Sequence, residues 1–334
     1  MKLFLIASFI FATLTPFAQQ QDAKQLHETA KSFMRQGDLS NAILVLSRAL
    51  QQDPSNLEIN KDLAYTYYLG KEYSKALETI KPLLERSDAD DQCFQIAGNI
   101  YIGLKNFKDC EKVYKKGLKK FPSSGPLYND FGGFLMANQD NTAIKYWEKG
   151  IETDPGFSGN YYNACKYYFL SGDKLWCALY SEIFINIEIQ TSRTIEVKEQ
   201  LLENYKRIFS DPDFFNKEKR KNVFEQAFVD ALSKQSQIAS AGLTPETLTM
   251  IRTRFILDWN NSFANKFPFR LFEHHLQLLQ SGLFDAYNQW LFGSVQNLMS
   301  YQNWTSIHST EVTALANFQK GRIFKWPAGQ YYHQ

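Results

Sequence analysis

The chain has 334 residues, 22% of them charged, and a formal net charge of +2. That composition predicts a folded soluble protein, long enough for two globular domains or one continuous solenoid. The near-neutral balance excludes a global electrostatic pull toward nucleic acid or acidic lipid.

The first 18 residues read as a signal peptide. Lys2 precedes an apolar run from Leu3 to Leu14, followed by Thr15, Pro16, Phe17, Ala18 and a glutamine cluster. The run is short for a membrane span. No cysteine follows it to carry a lipid, and no other segment is apolar enough to span. The mature chain is expected to begin near Gln19 and to be exported, to a periplasm or outside the cell.

From Ala23 to Glu188 one pattern recurs five times. A small residue stands at Ala42, Ala76, Cys110, Ala143 and Cys177, in steps of 34, 34, 33 and 34. A second small position keeps the same beat at Ala30, Ala64, Gly98, Gly132 and Cys165. A bulky residue follows it at Phe33, Tyr67, Tyr101, Leu135 and Tyr168. Pro54, Pro122 and Pro155 close three units. Self-similarity at this period predicts a solenoid. Each unit is two short amphipathic helices joined by a tight turn, and such a pair cannot bury its apolar face alone. Only a small side chain fits where the two helices cross. Proline stops the second helix, because it cannot continue the ladder.

These residues resemble the tetratricopeptide repeat family. Ala30, Phe33, Gly37, Ala42, Leu46, Ala49 and Pro54 of the first unit stand at the family's signature offsets. The later units keep the register with departures. The second has Asp88 in place of the closing proline, the fourth has one residue deleted from its turn, and the fifth has Ser181 where a bulky residue is usual. The resemblance implies an all-α fold, a right-handed α-solenoid over residues 19–188. A C-terminal helical domain over 189–334 would follow, with a degenerate sixth repeat near 268–300.

In stacks of this kind the first helices line a concave face. The inward positions then include Lys31, Lys61, Tyr65, Tyr68, Gln95, Asn99, Ile102, Asn129, Met136, Tyr162, Lys166 and Phe169. This mixed aromatic, amide and methionine surface suits a peptide or partner helix. Some family members clamp a terminal carboxylate with lysine, arginine and asparagine. The matching slots here hold His27, Lys31, Asp62, Gln92 and Ile96, so that role is not carried over. The basic run Lys112, Lys115, Lys116, Lys119 and Lys120 reads as a solvated face. Most of the 18 tyrosines are expected to wedge between helices.

Four cysteines must be read in an oxidising compartment if the chain is exported. Cys165 and Cys177 occupy the two crossing positions of one helix pair, so a disulfide between them is sterically conceivable. The alternative is two small buried residues in alanine-like slots. Cys110 is expected to be buried, and Cys93 has no obvious partner.

Beyond residue 188 the beat loosens. Helices are predicted over 194–209 and 221–239, and another opens at Thr244-Pro245-Glu246 with Thr244 as its cap. A hairpin is predicted over 268–281 and 282–299, then a last helix over 308–320 and an aromatic tail from Trp326. Glu273, His274 and His275 form the one cluster that resembles a reactive site. Adjacent histidines point about 100° apart on a helix and do not readily grip one metal, so a structural pair is expected. No nucleophile elbow, phosphate loop or cofactor turn is present. Asn260-Asn261-Ser262 and Asn303-Trp304-Thr305 fit the glycosylation sequon.

The sequence thus predicts a non-enzymatic scaffold without cofactor or metal. It would bind a protein or peptide and no nucleic acid. The competing expectation is a repeat docking arm fused to an enzymatic or glycan-binding C-terminal part. Oligomeric state is left open.

Overall fold

The computed structural model describes residues 22–220, 222–321, 324–327 and 329–333. The signal-peptide expectation lies outside them. Helices account for the regular structure, and no strand occurs among the described residues. The chain divides into two compact units, with the boundary inside one helix between Val113 and Tyr114.

The first unit begins with α1 (Ala23–Gln36), α2 (Leu39–Gln52), α3 (Leu57–Leu69) and α4 (Tyr73–Ile80). α5 (Asp91–Gly103) and the first half of α6 (Phe107–Lys120) complete it. α1 packs on α2 and α3 on α4, and α3 also packs on α2 and α5. Side-chain caps from Asp22, Asp38, Asn56 and Asp90 start α1, α2, α3 and α5, each accepting an otherwise orphaned backbone N–H. The small-residue rule holds at its predicted positions. Ala30, Ala42, Ala64 and Ala76 are fully buried, and the Cys110 thiol donates to the Gly98 carbonyl across the hairpin at 3.6 Å. The second repeat does not reach Asp88 as one α-helix. Pro82 converts residues Lys81–Glu85 to a 3₁₀ turn, because proline offers no N–H to the ladder.

The second unit continues with α7 (Gly125–Ala137), α8 (Ala143–Thr153), α9 (Ser158–Ser171) and α10 (Lys174–Ile187). Gly132 shows why its slot must be small. A Cβ there would stand 2.3 Å from the Trp147 indole nitrogen. α11 (Ser192–Ser210) packs on α10 and reaches back to α9, so hairpin stacking runs past residue 188. Beyond it come α12 (Val223–Ser233), α13 (Ser236–Ala239), α14 (Pro245–Ser262) and α15 (Arg270–Gln280). Thr244 and Thr247 form a reciprocal capping box at the start of α14, as Thr244-Pro245 predicts.

The predicted helix over 282–299 is not one regular α-helix and ends early, at Gln296. It is α16 (Phe284–Asn288), a π-helical stretch Gln289–Gly293 and α17 (Ser294–Gln296). Asn297 then adopts extended backbone and its side chain caps α18 (Leu298–Ile307). α19 (Ser309–Gly321) is the last helix. The aromatic tail packs back on the unit. The Tyr332 ring stacks on Phe224 at 4.6 Å, Trp326 meets Phe269 at 4.9 Å, and the Tyr331 hydroxyl donates to Glu148 at 2.7 Å.

Candidate functional site

The inward positions read from the sequence fall in both units, and the structure gives them two different jobs. Many of the polar ones brace neighbouring first helices. Lys61 on α3 is only 3% exposed. Its ammonium is ion-paired with Asp90, the cap of α5, and with Glu58 at 2.8 Å, and it donates to Gln92 at 3.1 Å. Burial pulls the Lys61 pKa down, but its bonds to Asp90 and Glu58 outweigh that and hold it above the ordinary lysine range. His27 on α1 is bound in the same way to Asp62 on α3, at 2.6 Å. Lys31 pairs with Glu28 on its own helix at 3.0 Å.

The second unit repeats the device. Asn163 on α9 donates to Asn129 on α7 at 2.8 Å. Lys166 and the Tyr162 hydroxyl both donate to Glu196 on α11, at 2.6 and 2.7 Å. The Lys166 amine also lies 3.1 Å from the Tyr162 oxygen. Arg193 stands 4.9 Å from the Tyr162 ring, and Arg207 covers the Phe169 ring at 3.9 Å. Met136 is half-buried. These side chains are engaged within the chain, so they position helices more than they offer a ligand free hydrogen bonds. The sequence carried the signal for this: Tyr162 and Glu196, like Asn129 and Asn163, are 34 residues apart, one repeat period.

The inward aromatics of the first unit are different. Tyr65 and Tyr68 on α3 stack at 6.0 Å, and Tyr68 meets Tyr73 of α4 at 6.0 Å. Gly103 on α5 comes against the Tyr73 ring, where a Cβ would stand 2.5 Å from it. Its neighbour Ile102 is 38% exposed, as is Tyr65, and Leu69 is 40% exposed. Gln95 and Asn99 are half-buried on the same helix α5. The result is an aromatic ladder with apolar residues beside it. Tyr73 and Leu69 were not among the residues picked from the sequence, because neither stands at an inward position of the first-helix pattern.

The conceivable bridge between Cys165 and Cys177 is not made, and both are small buried residues as the alternative had it. All four cysteines are free and buried. The Cys165 thiol donates to the Tyr162 carbonyl of its own helix at 3.2 Å, and Cys177 accepts from the Gln200 amide at 3.7 Å. Burial pushes the thiols of Cys93, Cys110 and Cys165 up to about 12, so they stay protonated and poorly nucleophilic.

Glu273, His274 and His275 do not converge on one point. His275 faces Glu182 of α10 at 2.7 Å, while the His274 ring lies 5.3 Å from Phe324 and 5.9 Å from Tyr287. Among the described residues no three histidine, cysteine or acidic side chains gather in a metal-holding group. No described helix is long and apolar enough to cross a membrane.

Residues 33–100 match the family model of the tetratricopeptide repeat. No curated protein sequence matches the chain. Among solved structures, a thermophilic tetratricopeptide repeat protein of Thermus thermophilus is similar at 15% identity and a TM-score of 0.46. That match covers 54% of this chain and 99% of that one. The pilF protein of Pseudomonas aeruginosa is similar at 14% identity and a TM-score of 0.47, over 63% and 96% of the two chains. A tetratricopeptide repeat protein of Parabacteroides merdae is similar at 15% identity and a TM-score of 0.42, over 77% and 98%. Likenesses this loose carry no function across.

Proposed function

From a chain whose residues 33–100 belong to the tetratricopeptide repeat family, we infer a non-enzymatic scaffold that captures a segment of another protein. The observation that carries this reading is the tyrosine ladder, in which exposed Tyr65 stacks on half-buried Tyr68 and Tyr68 meets half-buried Tyr73, with exposed Leu69 and Ile102 near it. Large apolar side chains held exposed on a rigid helix pair supply contact area at little entropic cost. Gln95 and Asn99 add amides to bond a partner's backbone. Lys61 ties α3 to the Asp90 cap of α5, so the surface is formed before the partner arrives. The segment from 189 onward closes the array with helices. The leader-like start supports export, and an envelope assembly is the setting proposed for the scaffold.

The test is capture by the full mature chain from an envelope extract, compared across variants. Tyr65→Ala with Tyr68→Ala should abolish a specific capture while leaving the helical circular-dichroism spectrum intact. Phe169→Ala, in the other unit, should leave capture within about twofold, because Arg207 already covers that ring. Capture that survives the tyrosine changes moves the site elsewhere. Export is tested separately by N-terminal sequencing of protein recovered from the cell envelope or medium. Recovery from the cytoplasmic fraction alone, with its start at Met1, would refute it.

A further inference from the structure

A groove of about 470 Å³ opens between the start of α14, the π-helical stretch Gln289–Gly293 and α18. Its size is that of a small-molecule site, for which about 300–1,000 Å³ is usual. The lining is chemically consistent. Glu246, Gln289, Gln296 and Asn303 contribute a carboxylate and three amides, Tyr301 and Trp304 contribute rings, and no lysine or arginine lines it.

Two features show that the polar floor is built and not incidental. Gln289 is almost fully buried, and its amide donates to Glu246 at 2.7 Å. Burial pushes the Glu246 carboxyl up, but the Thr244 hydroxyl and the Gln289 amide more than offset that and hold it below the ordinary glutamate range. It is therefore ionised at neutral pH without a cationic partner in the groove. The π-helical turn is the second feature. Such turns are rare and often mark functional positions. Here Gly293 ends it, and a Cβ at that residue would stand 2.6 Å from the Tyr301 ring. Only glycine lets Tyr301 approach that closely.

An unpaired carboxylate repels anionic ligands. The Gln289 amide spends one N–H on Glu246, so the pair offers a ligand the amide's second N–H as donor beside the carboxylate's remaining lone pairs as acceptors, and a hydroxyl that donates to the carboxylate while its neighbour accepts from the amide satisfies both. Vicinal hydroxyls of a pyranose have this pattern, and the C–H face of the same ring packs on an aromatic side chain. A peptide backbone spaces its donors and acceptors along an extended line, which a compact groove does not follow. We propose that this groove is a binding site for a neutral carbohydrate, with Trp304 and Tyr301 as the stacking surfaces and Glu246, Gln289 and Asn303 as hydroxyl partners.

The test is calorimetric titration of the full chain with neutral trisaccharides of glucose, galactose, mannose, xylose and N-acetylglucosamine. At least one should saturate with a dissociation constant between about 10 μM and 1 mM. Trp304→Ala and Asn303→Ala, both at accessible positions of α18, should each weaken it about tenfold or more. An unchanged circular-dichroism spectrum shows that the variants fold. Absence of heat for every sugar up to about 5 mM overturns the proposal. So does sugar binding that both variants retain unchanged. Saturation by triglycine and by none of the sugars assigns the groove to a peptide and overturns it equally.

Discussion

Glu182 shows how much of this structure rests on single buried residues. One carboxylate oxygen accepts from Arg252, from His275 at 2.7 Å and from the Tyr287 hydroxyl at 2.9 Å, and Arg252 also holds Asn288. All four partners are buried. Burial raises the Glu182 pKa, but the Arg252 charge and the bonds from His275 and Tyr287 overcome it and bring it down to about 2. Burial holds His275 below its ordinary range despite the carboxylate. Removing one member of a buried pair strands the other charge. Glu182→Gln should therefore cost about 3–5 kcal/mol in urea unfolding. Glu182→Leu with Arg252→Met should cost less than either single change. The sign of the pH dependence follows from the depressed acid pKa. The contribution is complete above the ordinary value of 4.5 and is lost as pH falls toward about 2. The gap between wild type and Glu182→Gln should stay constant above about pH 5 and close below it. The sequence pointed to His274 and His275 as a structural pair but not to their surroundings. Glu182 lies 93 positions from His275, inside a run of α10 that reads as a core stripe, and no local pattern marks a carboxylate that reaches so far. Lys61 and Lys166 were legible as inward-pointing but not as tied to a neighbouring helix, because Asp90 and Glu196 belong to the next repeat.

The tight turns of the hairpins carry a regularity finer than the apolar beat. Five residues adopt left-handed backbone at the end of a first helix: Gly37, Lys71, Lys105, Gln139 and Gly172, with φ of +75°, +61°, +55°, +61° and +88°. Their spacing is that of the repeats, yet only two are glycine. A side chain costs about 1–2 kcal/mol in this conformation, partly offset by the extra unfolded-state entropy of glycine. Lys71→Gly, Lys105→Gly and Gln139→Gly should each stabilise by up to about 1 kcal/mol. The change would be read as a higher urea midpoint at unchanged slope. A destabilised variant would show that the long side chain contributes more than its backbone costs. Helix existence was readable throughout the first ten helices, where period, caps and small residues agree. The helix predicted over 194–209 is also found, as α11, but its packing on α10 was not readable, since it was expected to open a separate domain. There the apolar register fades, and the stacking is revealed instead by the polar pair Tyr162 and Glu196. The break at Asn297 was missed as well. A π-helical turn leaves the apolar spacing nearly intact while moving the cap by a residue or more.

At the scale of the whole chain, stability in a stacked array comes from neighbours, and an end must be sealed or its apolar side chains meet water. The tail from Phe324 onward does this within the second unit. Phe324 and Trp326 are buried, Tyr332 stacks on Phe224 and donates to the Pro268 carbonyl at 2.9 Å, and the His333 ring lies 4.9 Å from Trp176. The sequence marked this stretch as aromatic but could not choose between a packed and a frayed tail, since an extended segment has no period to read. Its partners are also remote: Tyr331 reaches Glu148, 183 positions earlier, which Tyr168 and Tyr180 also contact at 2.6 and 2.7 Å. Loss of a buried aromatic costs about 3–5 kcal/mol, and for a unit of this size 1 kcal/mol moves the midpoint by roughly 2–4 °C. Deleting residues 324–334 should therefore lower the melting temperature by about 10 °C or more. Hydrogen exchange locates the effect. Amides of α9, α10 and α12 should lose protection, while those of α1 to α4 should exchange as in the full chain. Unchanged protection in α9 and α10 would mean that the tail lies on an array already closed without it.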